Sequence, residues 1–248
     1  MTPRRIELLG VPVDCVTMAQ SVDFVEDRVV SGDGCAAVVA VNPEKIMRAR
    51  VDAALLESLR RAALLIPDGI GAVWGARLLA NAEIGRVPGA ELMPAICARA
   101  AKKGFSVFLF GAQETVNAKA AEILPARFPG LRIAGRRNGY VDADAMPALI
   151  DEINQSGADV LFIALGSPRQ EEWIDQNIGS LRVKAIQGVG GTFDVIAGHV
   201  QRAPAVFRRL NLEWFYRLLR EPKRLWRQRV LLFFALAIIA ERLKPKTG

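Results

Sequence analysis

The sequence predicts an α/β fold: a largely parallel sheet with flanking helices, followed by a basic, amphipathic helical tail. Short apolar, β-branched runs alternate with helix-length amphipathic segments through residues 1–202, the pattern of strands joined by crossover helices. No internal repeat, low-complexity segment or Pro/Gly/Ser linker divides that stretch, so it reads as one body of one or two lobes. Near Ala203 the composition turns basic and stays so, which sets residues 203–248 apart as an appendage. At 248 residues and 51% hydrophobic content, the chain can bury a sizeable core. The expected body is therefore Rossmann-like in its layering.

In chain order, IELLGVPVD (6–14) reads as a hairpin-like opening, and Thr17 is placed to cap the helix after it. The strand candidates are AAVVAV (36–41), ALLI (63–66), FSVFLFG (105–111), LRIAG (131–135), DVLFIALG (159–166) and VKAIQGVGG (183–191). Each is short, rich in Val, Ile, Leu or Phe, and bounded by glycine, proline or polar residues. In the tail, VLLFFALAIIA (230–240) is too short for the ~20 residues of a membrane span. Its basic flank and the interleaved Trp214, Phe215, Tyr216 and Trp226 suit a segment lying on an anionic membrane surface, although a docked helix with a solvated basic face would read the same way.

Several function classes drop out. Glu7 and Asp14 interrupt the N-terminus where a signal peptide needs an apolar stretch of about 7 to 15 residues, so export is not expected. Cys15, Cys35 and Cys97 lack CxxC spacing and read as reduced core thiols of a cytoplasmic protein. His199 is the lone histidine and reads as structural. Asp142 and Asp144 resemble an Asp-x-Asp metal clamp, but at a helix start they are better read as cap and first-turn acids. No metal site is expected. The formal charge of +7 makes nucleic acid a polyanion to consider, yet no familiar binding module is present. A Walker loop and a strand-borne GxGxxG are likewise missing.

In a parallel sheet, ligands bind beyond the carboxyl ends of the strands, so the residues following each run carry the functional signal. These are Asn42, Asp68, Gly111 with Gln113, the stretch from Gly135 to Tyr140, the stretch from Gly166 to Gln170, and Gly190, Gly191 and Asp194. Asp68 sits in Pro-Asp-Gly, which is also a common turn signature in which the acid could cap the next helix. The glycines of GVGGTFD would let backbone N–H groups approach a phosphate, or would simply make a turn. Gln170 offers donor and acceptor to a polar ligand.

Taken together, N-P-E after the first core strand, P-D-G-I-G, R-V-P-G-A-E-L, G-S-P-R-Q-E-E-W, G-V-G-G-T-F-D and L-E-W-F-Y-R-L-L-R-E-P-K-R-L-W-R resemble the WecG/TagA/CpsF glycosyltransferases, family 26 of the carbohydrate-enzyme classification. The resemblance runs from about residue 8 to residue 229. It implies a metal-independent, inverting hexose transfer from a UDP-sugar to a polyprenyl-diphosphate-linked sugar, on the cytoplasmic face of the cell membrane, during assembly of a surface polysaccharide. No cofactor is implied, the UDP-sugar being a substrate, and self-association is left open. By the same matching, Asp68 looks like the catalytic base, and Asn42, Arg86 and Gln170 like substrate contacts. Gly111, Tyr140, Gly190, Gly191 and Asp194 look like parts of the nucleotide pocket, and Arg217, Arg224 and Arg227 resemble tail arginines that close over the diphosphate. Ala40 and Pro88 stand where the family often has Thr, which unsettles the donor: N-acetylmannosamine, glucose and uronic sugars all fit the family. The competing readings are another nucleotide-dependent α/β enzyme, such as an oxidoreductase, and a catalytically silent membrane-docked scaffold.

Overall fold

The computed structural model describes residues 3–204, 206–207, 215–216, 218 and 225–244, with the backbone alone at 225–228. The chain opens with an antiparallel hairpin of β1 (Arg5–Leu8) and β2 (Val11–Asp14). Asp14 hangs this hairpin on the main sheet. Its buried carboxylate accepts two hydrogen bonds from the Arg5 guanidinium, at 2.8 and 2.9 Å, and one from the Leu65 N–H at 2.7 Å. Thr17 then caps α1 (Met18–Ser31) as the sequence predicts, in a capping box completed by Gln20.

The expected runs become β3 (Ala36–Val41), β4 (Leu64–Pro67), β5 (Ser106–Gly111), β6 (Arg132–Arg137), β7 (Val160–Ala164) and β8 (Ala185–Gly188). They form a six-stranded sheet in the order β4-β3-β8-β7-β5-β6, with every neighbouring pair parallel. Parallel neighbours need crossover connections, and these are supplied by α2 (Pro43–Ala49), α3 (Ala53–Arg61), α4 (Ile70–Ala80), α5 (Gly89–Lys103), α6 (Glu114–Arg127), α7 (Met146–Gln155) and α8 (Arg169–Asn177), while the short α9 (Thr192–Ile196) follows the last strand.

Strand alternation divides the apolar side chains between the two faces. Val38, Leu64, Ile66, Val107, Leu109, Val160 and Phe162 pack with Phe24, Leu92, Ile96, Leu124 and Phe193 from α1, α5, α6 and α9. On the opposite face Val39, Val41 and Leu65 meet the hairpin and α2 to α4, while Phe108, Phe110, Leu161, Ile163 and Ile186 meet α7 and α8. Both faces are covered, which is why the strands read as unbroken apolar runs.

The C-terminal helix, Leu225–Leu243, is docked on the body by one face. Phe234 and Ile238, spaced i and i+4, lie over Gly71 and Gly75 of α4, where a Cβ at Gly75 would come within 3.1 Å of Ile238 Cδ1. The opposite face leaves Leu232, Phe233, Leu236 and Ile239 exposed. The docked-helix reading of the sequence thus holds for one face of this helix, while the other face is apolar and exposed. Among the described residues no helix is long and apolar enough to cross a membrane.

Three local expectations are corrected. Asp68 does not cap α4, because Gly69 occupies the cap position and no side chain caps there. Asp142 opens a 3-10 turn (Ala143–Ala145) without a side-chain cap bond. Of the cysteines only Cys97 is fully buried, and Cys15 and Cys35 are half-buried.

Candidate active site

All six strands of the main sheet run the same way, so their carboxyl ends share one edge, and the residues singled out by the sequence follow those ends: Asn42 after β3, Asp68 after β4, Gly111 at the end of β5, Tyr140 after β6, Gln170 after β7, and Gly190, Gly191 and Asp194 after β8. At the β3–β4 end the loops are stitched to one another. The Asp68 N–H donates to Val41 O at 2.9 Å, and the Val87 N–H donates to Pro67 O at 2.8 Å. The first bond fixes Asp68 beside Asn42; the second brings the R-V-P-G loop, with Arg86, against the Pro-Asp-Gly turn. Gly69 supports this geometry with φ of 87°, and a Cβ on Gly71 would lie 2.7 Å from Pro43 Cγ, so the turn closes directly onto the Asn42-Pro43 corner. Asp68 is half-buried there.

Asn42 caps α2, its Oδ1 accepting from the Lys45 N–H at 2.8 Å. Gln170 is 4% exposed and fully engaged. Its Oε1 accepts from the Gly190 N–H at 3.1 Å, and its Nε2 donates to Glu171 Oε1 at 3.0 Å. The same carboxylate oxygen accepts from Lys45 Nζ at 2.7 Å. In the glycine loop the Gly190 N–H is therefore turned toward Gln170, and the Thr192 N–H donates to Val189 O. Asp194 lies half-buried in the first turn of α9, its carbonyl accepting from the His199 and Val200 N–H groups.

At the β5–β6 end the construction is different. Gly111 has φ of 116°, and a Cβ there would sit 2.5 Å from Ala164 O, so only glycine lets β5 close against β7 at this point. Asn117, wholly buried on α6, donates through Nδ2 to Leu109 O, Gly111 O and Arg137 O. Tyr140 stands 76% exposed, its N–H donated to Asn138 Oδ1 while Asn138 Nδ2 donates to Glu114. Bonds from Asn138 and then Arg136 hold the Glu114 carboxyl below its ordinary range. A cavity of about 160 Å³ adjoins this corner, lined in part by Phe110, Gly139, Leu165, Arg169 and Trp173. Asp68 follows β4 at one edge of the sheet, whereas the chain before Tyr140 folds back over the end of β5, the Gly139 N–H donating to Ala112 O at 2.8 Å, so about four inter-strand steps, or roughly 19 Å at the usual spacing, lie between them. One small ligand does not touch both; an extended one can.

Arg86 is not isolated. Glu91 Oε1 lies 3.9 Å from Arg86 Nη2 and 2.8 Å from Arg202 Nη2, so one carboxylate faces both guanidiniums where the body meets the tail. Arg217 and Arg224 lie outside the described residues; Arg227 falls on the backbone of the C-terminal helix, and its side chain also lies outside them. Among the described residues no group of three or more His, Cys, Asp or Glu side chains could hold a metal ion. Burial pushes the Cys35 and Cys97 thiols up to about 12, which makes them packing residues and not nucleophiles. His199 is exposed.

Sequence reasoning missed Lys45 with Glu171, Asn117, Glu91 and the buried Gln187, whose Nε2 donates to Gly89 O at 3.1 Å. Gln187 and Asn117 did carry a signal, each being a lone polar residue on an otherwise apolar strand or helix face. The Lys45–Glu171 pair joins positions 126 residues apart, and no local pattern links them.

Residues 6–248 match the model of the Glycosyl transferase WecG/TagA/CpsF family. The chain is also similar to the N-acetylglucosaminyldiphosphoundecaprenol N-acetyl-beta-D-mannosaminyltransferase of Bacillus subtilis (strain 168), with 34% identity over 239 residues, covering 96% of this chain and 92% of that protein.

Proposed function

The chain belongs to the WecG/TagA/CpsF glycosyltransferase family, and on that premise we propose that it moves a hexose from a UDP-sugar to a polyprenyl-diphosphate-linked sugar, with inversion and without a metal. The carrying observation is the Pro-Asp-Gly turn, pinned by the Asp68 and Val87 N–H bonds between Asn42 and the Arg86 loop. A general base must be held within reach of the proton it takes, and this turn is held from both sides. In the proposed step the acceptor hydroxyl oxygen attacks the anomeric carbon as Asp68 takes its proton. The bond from that carbon to the phosphate oxygen breaks, and UDP leaves with the electron pair.

Asn42, Arg86 and Gln170 shape the sugar end. Gly111, Tyr140, Gly190, Gly191 and Asp194 form the nucleotide side, and the separation of Asp68 from Tyr140 suits a ligand with a nucleotide at one end and a sugar at the other. Arg217, Arg224 and Arg227 stabilise the departing diphosphate, a role that guanidiniums fill without a metal. The donor is N-acetylmannosamine, as the name of the Bacillus relative says of that protein, or a related hexose, since Ala40 and Pro88 bring no hydroxyl where the family often has Thr.

Residues 1–202 act as the transferase body and residues 203–248 as a membrane-associating appendage on the inner face of the cell membrane. Support for the appendage comes from the exposed Leu232, Phe233, Leu236 and Ile239, with Trp74 and Leu78 of the adjoining α4 also exposed. The test is a screen of UDP-sugars against a short-chain lipid-diphosphate acceptor, scored by UDP release with and without chelator. Release with at least one donor, unchanged by chelator, is expected. No release from any donor overturns the transfer, and loss on chelation with recovery in Mg²⁺ or Mn²⁺ overturns the metal-free mechanism.

A further inference from the structure

We infer that the buried Lys45–Glu171 ion pair is a positioning device, holding the loops after β3, β7 and β8 in a single register at the transfer site; the inference rests on the function proposed above. Glu171 Oε1 is the junction. It accepts from Lys45 Nζ at 2.7 Å and from Gln170 Nε2 at 3.0 Å, and Gln170 Oε1 in turn accepts from the Gly190 N–H at 3.1 Å. On the other side the Lys45 N–H donates to Asn42 Oδ1. A continuous line of bonds therefore runs from the glycine loop, through Gln170, Glu171 and Lys45, to Asn42 and the β3 end that receives the Asp68 N–H. Because β3, β8 and β7 are consecutive in the sheet, one carboxylate oxygen ties three adjoining loops.

Stability is a poor explanation for this pair. The Lys45 and Glu171 side chains are 6% and 1% exposed, and an apolar pair of similar volume is commonly as stable as a buried ion pair. Nor are the bonds complete, since Glu171 Oε2 is buried with no hydrogen-bond partner among the described residues. What the pair supplies is direction. An apolar replacement fills the space but cannot orient the Gln170 amide, which lies so close over β8 that a Cβ on Gly188 would come within 2.7 Å of Gln170 Nε2. Neither residue is placed to touch substrate, so each acts through Asn42, Gln170 and Gly190.

Two variants test this in the full-length protein, each read by kcat, donor KM, melting temperature and amide hydrogen exchange. The double variant Lys45→Met/Glu171→Leu should melt near the wild-type temperature. Its kcat should fall roughly tenfold or more, because small misplacements of positioned groups are costly, while donor KM moves less. Exchange in segments 42–46 and 188–194 should quicken as the interiors of β3 and β8 stay protected. Glu171→Asp keeps both charges but withdraws the junction oxygen, and should give the same pattern to a smaller degree; it decides the matter if the double variant does not fold. Wild-type kcat together with wild-type exchange in the folded variants overturns the inference. Should the wild-type protein itself transfer no sugar, the proposed function fails, and exchange alone then decides: faster loops uphold the register role, unchanged loops overturn it.

Discussion

At the β3–β4 end of the carboxyl edge, Asp68 sits in a turn bonded to β3 on one side and to the Arg86 loop on the other. At the β5–β6 end, Tyr140 projects 76% exposed from a corner held by the Asn138 amide and an exposed Glu114. Chemistry and binding ask for different construction. A base must be fixed before the substrate arrives, whereas a group that covers a nucleotide gains from being open until it does. On the proposed function the two ends are a reacting centre and a docking platform, and substitutions at each should separate turnover from binding.

The largest effect is expected at the fixed end. Asp68→Asn should lower kcat by about 10² to 10⁴-fold, the usual worth of general base catalysis, with circular dichroism unchanged. Under the open end, Asn117→Ala removes the donor that joins Leu109 O, Gly111 O and Arg137 O. Stranding these carbonyls should cost about 2 to 3 kcal/mol in urea unfolding, concentrated in β5 and β6. Tyr140→Ala should raise donor KM by about three- to tenfold with kcat held, as expected for lost stacking and uniform binding. A kcat loss instead would place Tyr140 in the chemistry and erase the contrast.

The smallest effect concerns pH. The Glu114 carboxyl is held below its ordinary range by Asn138 and Arg136, so its contribution to the Tyr140 corner is complete above the ordinary carboxylate pKa. That contribution is lost only as pH falls through the lowered value. Donor KM should accordingly show no Glu114-dependent change above pH of about 5 and should rise below the ordinary carboxylate range. Glu114→Gln should remove the rise.

Much of the fold and of this edge was legible in the sequence because the strands are unbroken apolar runs and their polar followers stand out: Asn42 and Asp68 come directly after such runs, and Gln170 lies in the turn-and-helix start after another. The sheet order was not legible, since adjacency of β3 and β8 is a tertiary choice between strands far apart in the chain. Neither was the engagement of Gln170, which reads as a residue free to meet ligand until Glu171 and Gly190 are seen to take both ends of its amide. Lys45 was not legible either: it shares a helix face with Ala49, and both are buried, yet only the fold brings Glu171 against the lysine. The tail was half legible. Its basic, apolar composition was plain, whereas docking through Phe234 and Ile238 depends on Gly71 and Gly75, which only the fold brings beneath them.

The central claim, that the fixed end reacts while the open end binds, is tested most directly by titrating Asp68→Asn with UDP by calorimetry beside its turnover on the lipid-diphosphate acceptor. The account predicts a Kd within about twofold of wild type while turnover is lost. Near-normal turnover, or a Kd weakened as far as turnover, would contradict it.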